Sequence, residues 1–95
     1  MDLDELRARR GEILEVAAAH GARNVRVVGS TARGQPTDRS DVDFLVDLDP
    51  TRTLLDLGGL QMDLQRLLGR WVDVAVERGL RDKVRARLLE DAVAL

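Results

Sequence analysis

A chain of 95 residues with 15 basic against 17 acidic side chains and a formal net charge of −2 has the size of one compact domain, residues 1–95, and lacks the basic footprint of a nucleic-acid binder. It contains no cysteine, which excludes a disulfide framework and a thiolate metal site. The charged opening "MDLDELRARRGE" is unlike a signal peptide, and no apolar run approaches the roughly 20 residues that span a bilayer, so the sequence reads as soluble and cytoplasmic with no membrane partner.

From Asp2 to about Ala19, Leu3, Leu6, Ile13, Val16 and Ala17 recur at roughly helical spacing, and the glycine of "HGA" at His20 to Ala22 stops that helix. "NVRVVGS" is short and β-branched, a strand ending at Gly29. "DVDFLVDL" is a second strand, bounded by Asp49 and Pro50. Between Thr53 and Leu68, Leu54, Leu57, Leu60, Leu64, Leu67 and Leu68 fit one helix face, and Gly58-Gly59 within it marks close packing on the sheet or a kink. "WVDVAVE" is a third strand, and "LRDKVRARLLEDAVAL" a closing helix with Leu80, Val84, Leu88 and Leu89 inward. The order predicts an α/β fold, a three-stranded mixed sheet flanked by helices.

Connection lengths orient these strands. The helix between the second and third returns the chain to the same end, so those two run parallel with a right-handed crossover. Asp41 and Asp43 then lie at the same sheet end as Asp73. The first strand, which reaches the second through Ser30 to Ser40, runs antiparallel to it and brings the Gly29-Ser30 turn to that end as well.

A domain this small buries only about two thirds of its unfolded surface, so carboxylates beside its core call for a compensating cation or a functional return. Asp41 and Asp43 are i and i+2 on a strand and project from one face, where they repel unless a cation sits between them. Oxygen ligands without His or Cys suit Mg²⁺ or Mn²⁺ rather than zinc. After Gly29, Ser30 and the backbone N–H groups of a helix start at Thr31-Ala32-Arg33 can hold phosphate oxygens. Phosphate on one side and metal carboxylates on the other describe a nucleotidyl-transfer site. Two ions would serve an in-line displacement there, one bridging the triphosphate through Asp41 and Asp43, the other activating the attacking hydroxyl with Asp73.

Gly29-Ser30, then Asp41-x-Asp43 and a later strand aspartate, resembles the nucleotidyltransferase superfamily of DNA polymerase beta. The strings "GSTARGQPTDRSDVDFLV", "LLGRWVDVAVERGL" and "LLEDAVAL" are most similar to its minimal nucleotidyltransferases, the MntA-type antitoxins paired with HEPN-domain toxins, over nearly the whole chain. The resemblance implies Mg²⁺-dependent transfer of AMP from ATP to a partner toxin, with a tyrosine hydroxyl as acceptor. Gly29, Ser30, Asp41, Asp43 and Asp73 fall on the family's motif positions.

Simpler roles compete at the remaining positions. Arg33 contacts the triphosphate or pairs with a nearby aspartate, and Ser40 steers Asp41 or serves only its turn. His20 reads as a helix-end residue, Trp71 as core or subunit contact, and Asp47 and Asp49 as a solvent face. Arg81, Lys83, Arg85 and Arg87 read as a solvated helix side rather than a nucleic-acid patch. Two functional classes stand side by side: an enzyme that modifies a protein, and a module that neutralises a toxin or holds a nucleotide without turnover. Three acids retained on one edge favour the enzyme.

Overall fold

The computed structural model describes residues 1–36 and 41–95; residue Ser40, expected at the nucleotide, lies outside the described residues. Two helices open the chain, α1 (Leu3–Ala8) and α2 (Arg10–Ala19), followed by β1 (Ala22–Val28), the four-residue α3 (Gly29–Ala32) and β2 (Val42–Leu48). Helix α4 (Leu54–Leu68) connects to β3 (Val72–Val76), and a 3₁₀ turn at Glu77–Gly79 leads to α5 (Asp82–Asp91) and β4 (Val93–Ala94). The sheet order is β3-β2-β1-β4, with β1 antiparallel to both β2 and β4 and with β2 parallel to β3.

Four strands therefore replace the expected three. The closing helix stops at Asp91, Ala92 turns to an extended conformation, and Val93 and Ala94 pair with Val27 and Arg26. The Leu95 N–H donates to the Val25 carbonyl at 3.0 Å. Pairing covers an edge of β1 whose backbone groups would otherwise stand open, a gain that outweighs the helical spacing of the final residues. The single opening helix is likewise two. Its break falls at Arg9, whose guanidinium donates to the Leu67 carbonyl near the end of α4 at 2.7 Å.

One face of the sheet builds the core. Val25, Val27, Val42, Phe44, Val46 and Val72 meet Leu6 of α1, Ile13 and Ala17 of α2 and Leu60, Leu64 and Leu68 of α4. Burying Phe44 alone contributes about 1.5–3 kcal/mol. Helix α4 is held at its start by a capping box, the Thr53 hydroxyl accepting from the Leu55 N–H and Asp56 accepting from the Thr53 N–H at 2.9 Å. It runs as one uninterrupted helix through Gly58-Gly59. A side chain at Gly59 would place its Cβ 2.9 Å from His20 Cε1, so the close approach at that glycine is between α4 and the end of α2 rather than on the sheet as expected. Nothing in the structure explains Gly58. His20 ends α2 as expected and also joins Asp63 of α4 at 2.7 Å.

Several surface expectations change. Leu54 is exposed in the first turn of α4, beyond the reach of the core, and Val84 and Leu89 of α5 are exposed rather than inward. Trp71 is 73% exposed and belongs to no core. Asp47 is half-buried, and together with Glu77 it holds the buried Arg26 guanidinium, at 3.1 Å and 2.5 Å. A buried charge with one partner removed is strongly destabilising, so these contacts are what permit an arginine inside β1. Asp49 accepts from both the backbone and the hydroxyl of Thr51, closing the turn after β2 and holding its own pKa low. No described helix is long and apolar enough to cross a membrane.

Candidate functional site

Register brings the candidate residues together. Asp43 of β2 lies opposite Val28, the last residue of β1, on one side and opposite Asp73 of β3 on the other. Residues paired across strands share a sheet face, so Asp43 and Asp73 emerge on the face opposite the α2–α4 core. Asp41 precedes β2 by one residue and is exposed, whereas Asp43 is half-buried. Val42 between them is fully buried, and its N–H donates to the Trp71 carbonyl at 3.0 Å, which ties the start of β2 to the start of β3.

The Gly29-Ser30 turn reaches the same place. Gly29 has φ +74°, and a Cβ built on it would stand 2.5 Å from Asp43 Oδ2. Only a residue without a side chain fits there. The loop after it is drawn tight by Arg33 N–H to Gly29 carbonyl at 3.1 Å and Gln35 N–H to Ser30 carbonyl at 2.9 Å. Thr31 is buried beneath, its hydroxyl 3.4 Å from the Met1 carbonyl. Val28 makes no side-chain cap to α3, so among the described residues its first-turn N–H groups have no capping side chain.

Electrostatics report the crowding. Burial raises the Asp43 pKa first, the charges of Asp73 and Asp41 raise it further, and Arg33 opposes them. Asp43 is thus the focus of the three acids. Arg33 itself sits 3.9 Å from Asp91 near the end of α5, so the expected pairing with an aspartate exists, and its partner comes from the far end of the chain. Sequence reasoning did not single out Asp91. Neither spacing nor periodicity links two positions whose meeting depends on α5 packing against α3.

Among the described residues no three carboxylates or imidazoles are gathered into a finished metal cage. Like charges hold one another apart, and Mg²⁺ commonly takes only one or two carboxylates with the rest of its shell from waters and substrate phosphates. Oxygen-only donors focused on a carboxyl whose charge is disfavoured fit such an ion. The outer edge of β3 is not open for strand addition near Asp73: the Val72 and Val74 N–H groups donate to Gln65 Oε1 at 3.3 Å and Gln61 Oε1 at 3.4 Å, both from α4.

With this geometry in place, the comparisons with known proteins are direct. The family described as nucleotidyltransferase domain matches residues 11–95. The chain belongs to the nucleotidyltransferase family. A protein of Methanocaldococcus jannaschii, inferred to be a protein adenylyltransferase, is 31% identical over 93 residues, 98% of this chain and 97% of that one. The protein adenylyltransferase MntA of Thermococcus cleftensis is 34% identical over 79 residues, 83% of this chain and 80% of its own. A solved structure of an inferred minimal nucleotidyltransferase superposes with a TM-score of 0.88 at 48% identity, covering 100% of this chain and 97% of that chain. The chain shares that minimal nucleotidyltransferase fold and is an enzyme of this class.

Proposed function

We propose that this chain transfers AMP from ATP to a hydroxyl of a partner protein, a tyrosine of a HEPN-domain ribonuclease toxin encoded beside it, and that it acts in this way as an antitoxin. The observation that carries the reading is the focus of Asp73 and Asp41 on the half-buried Asp43, directly against Gly29. Full-length relatives named as protein adenylyltransferases support the reaction class. The motif resemblance supports the partner. The 95 residues hold no tyrosine, which is consistent with an acceptor of that residue type on a partner.

In the reaction the acceptor oxygen bonds to the α-phosphorus of ATP, the bond from that phosphorus to the bridging oxygen breaks, and pyrophosphate leaves. Asp41, Asp43 and Asp73 would hold Mg²⁺, which supplies neutralisation of phosphate charge and polarises the reacting phosphoryl group. The exposed Asp73 carboxylate takes the hydroxyl proton and returns it to water. Ser30 and the first N–H groups of α3 bind the departing phosphates. Arg33 adds positive charge on that side while Asp91 holds it.

Loss of the Ser30 hydroxyl removes one hydrogen bond to a charged phosphate, about 1.5–3 kcal/mol. Calorimetric titration of Ser30→Ala with Mg·ATP should therefore show Kd raised by about one to two powers of ten; an unchanged Kd places the phosphates elsewhere. The overall reading is tested by incubating the chain with ATP, Mg²⁺ and its genomic neighbour, then measuring mass gain and ribonuclease activity. AMP on a tyrosine with loss of RNA cleavage supports it. Silencing without mass change, equally by an Asp41→Asn/Asp43→Asn double variant, makes the chain a binding module instead.

A further inference from the structure

We propose that Trp71 is the acceptor-side contact of the site, the surface on which the polypeptide segment carrying the modified hydroxyl packs. The inference rests on the adenylyl-transfer reading and adds to it the direction of approach and the residue that receives the acceptor.

The argument begins with the order of elements across the sheet. Moving from β1 through β2 to β3, the site presents the Gly29-Ser30 turn, then Asp43, then Asp73. A phosphoryl displacement proceeds in line, with nucleophile and leaving group on opposite sides of the phosphorus. Pyrophosphate held at the β1 side therefore obliges the hydroxyl to enter from the β3 side. Trp71 stands there, immediately before β3 and two residues from Asp73.

Trp71 is also the only tryptophan of the chain, and it is 73% exposed. An indole contributes much to burial and little to a fold when it is left in water, so the packing among the described residues does not account for it. Its backbone, by contrast, is fixed, because its carbonyl accepts the Val42 N–H between Asp41 and Asp43. Trp71 helps line a cavity of about 290 Å³ with Gln65, Gly69 and Arg70. A rigidly mounted, solvent-facing aromatic beside a reactive centre is the kind of residue that anchors an interface.

The occupied edge of β3 settles how the acceptor can bind. With the Val72 and Val74 N–H groups held by Gln65 and Gln61, an acceptor segment cannot join the sheet as another strand there. Recognition falls to side-chain packing on the indole, which suits a segment with an apolar or aromatic side chain next to its hydroxyl.

The test uses the single tryptophan as its own reporter. The chain is labelled with 5-fluorotryptophan, and its one ¹⁹F resonance is followed while Mg·AMP-PNP and then the neighbouring protein are added. Transfer kinetics are measured in parallel for the wild type, Trp71→Ala and Trp71→Phe, with circular dichroism confirming that each is folded. The expected result is a resonance that moves with the protein partner and not with nucleotide, an acceptor KM raised about 30-fold in Trp71→Ala, substantial recovery in Trp71→Phe, and an unchanged Kd for Mg·ATP. A resonance that moves with nucleotide alone, with weakened ATP binding in Trp71→Ala, makes the indole a base platform and overturns the proposal. So does a partner that binds without moving the resonance, or that does not bind at all. If the partner binds through Trp71 and receives no AMP, the contact stands while the adenylyl-transfer reading fails.

Discussion

Asp43→Asn is expected to lower nucleotidyl transfer by about 10³-fold or more while raising the melting temperature of the metal-free protein at neutral pH. Both effects have one origin. Asp43 is the carboxylate that burial, Asp73 and Asp41 all disfavour in its charged form. With a cation and a triphosphate present, that charge is the ligand that neutralisation requires, and a neutral amide forfeits several kcal/mol of charge stabilisation in the transition state. Without the cation the same charge is a liability. Because the folded-state pKa is raised, the ionised group opposes folding above that pKa, and the penalty vanishes as pH falls below the unfolded value of 3.8. The stability advantage of Asp43→Asn should consequently be greatest near neutrality and shrink towards zero through the acid range, where wild-type Asp43 becomes neutral itself. Asp49 supplies the contrast: its pKa is lowered by the Thr51 backbone hydrogen bond above all, so its contribution is present above 3.8 and is lost as pH falls through its folded value. Paired thermal melts of wild type and Asp43→Asn in chelator across this range, with transfer assays in Mg²⁺, measure both halves. A variant with wild-type turnover, or one less stable at neutral pH, would remove Asp43 from the centre of the site.

The alignment behind this expectation was legible because it depends on local rules. A period of two places Asp41 and Asp43 together, and a four-turn helix between strands makes them parallel, which is enough to set Asp73 beside Asp43. Features that depend on what another segment leaves uncovered were not legible. Val93 and Ala94 form a strand because β1 has an open edge, not because two residues declare one. Asp47 has the alternation of a solvent-facing residue and yet holds the buried Arg26 of β1. For Trp71 the sequence left core and subunit contact side by side, and its exposure removes only the first. Gly58-Gly59 suggested close packing on the sheet or a kink, whereas Gly59 meets His20, a contact that exists only once α2 and α4 have been brought together.

Gly29→Ala is expected to abolish transfer and to destabilise the fold more than Gly34→Ala, and the two glycines form a matched pair. Both have φ +74°. An alanine at either position incurs the backbone cost of the left-handed region, about 1–2 kcal/mol, which for a domain of this size corresponds to roughly 4–8 °C of melting temperature per kcal/mol. For Gly34 that is the whole effect, since a Cβ there meets nothing within 4 Å among the described residues. Transfer by Gly34→Ala should accordingly stay within a few-fold of wild type. At Gly29 the new methyl lies 2.5 Å from Asp43 Oδ2, a distance no Cβ tolerates, so the carboxylate or the turn must move. Either movement separates the proposed phosphate cradle from the carboxylate that faces it. A displacement of about 1 Å at a reacting centre is enough to cost about 10²-fold in rate, before any loss of nucleotide affinity. Placing Gly29→Ala in an Asp43→Ala background isolates the contact further: with the carboxylate absent, the excess destabilisation over Gly34→Ala should disappear, although transfer does not return. Melting temperatures for the single and double variants decide the matter. Equal destabilisation by Gly29→Ala and Gly34→Ala would mean that the turn and Asp43 are not in contact in solution, and the site would have to be assembled differently.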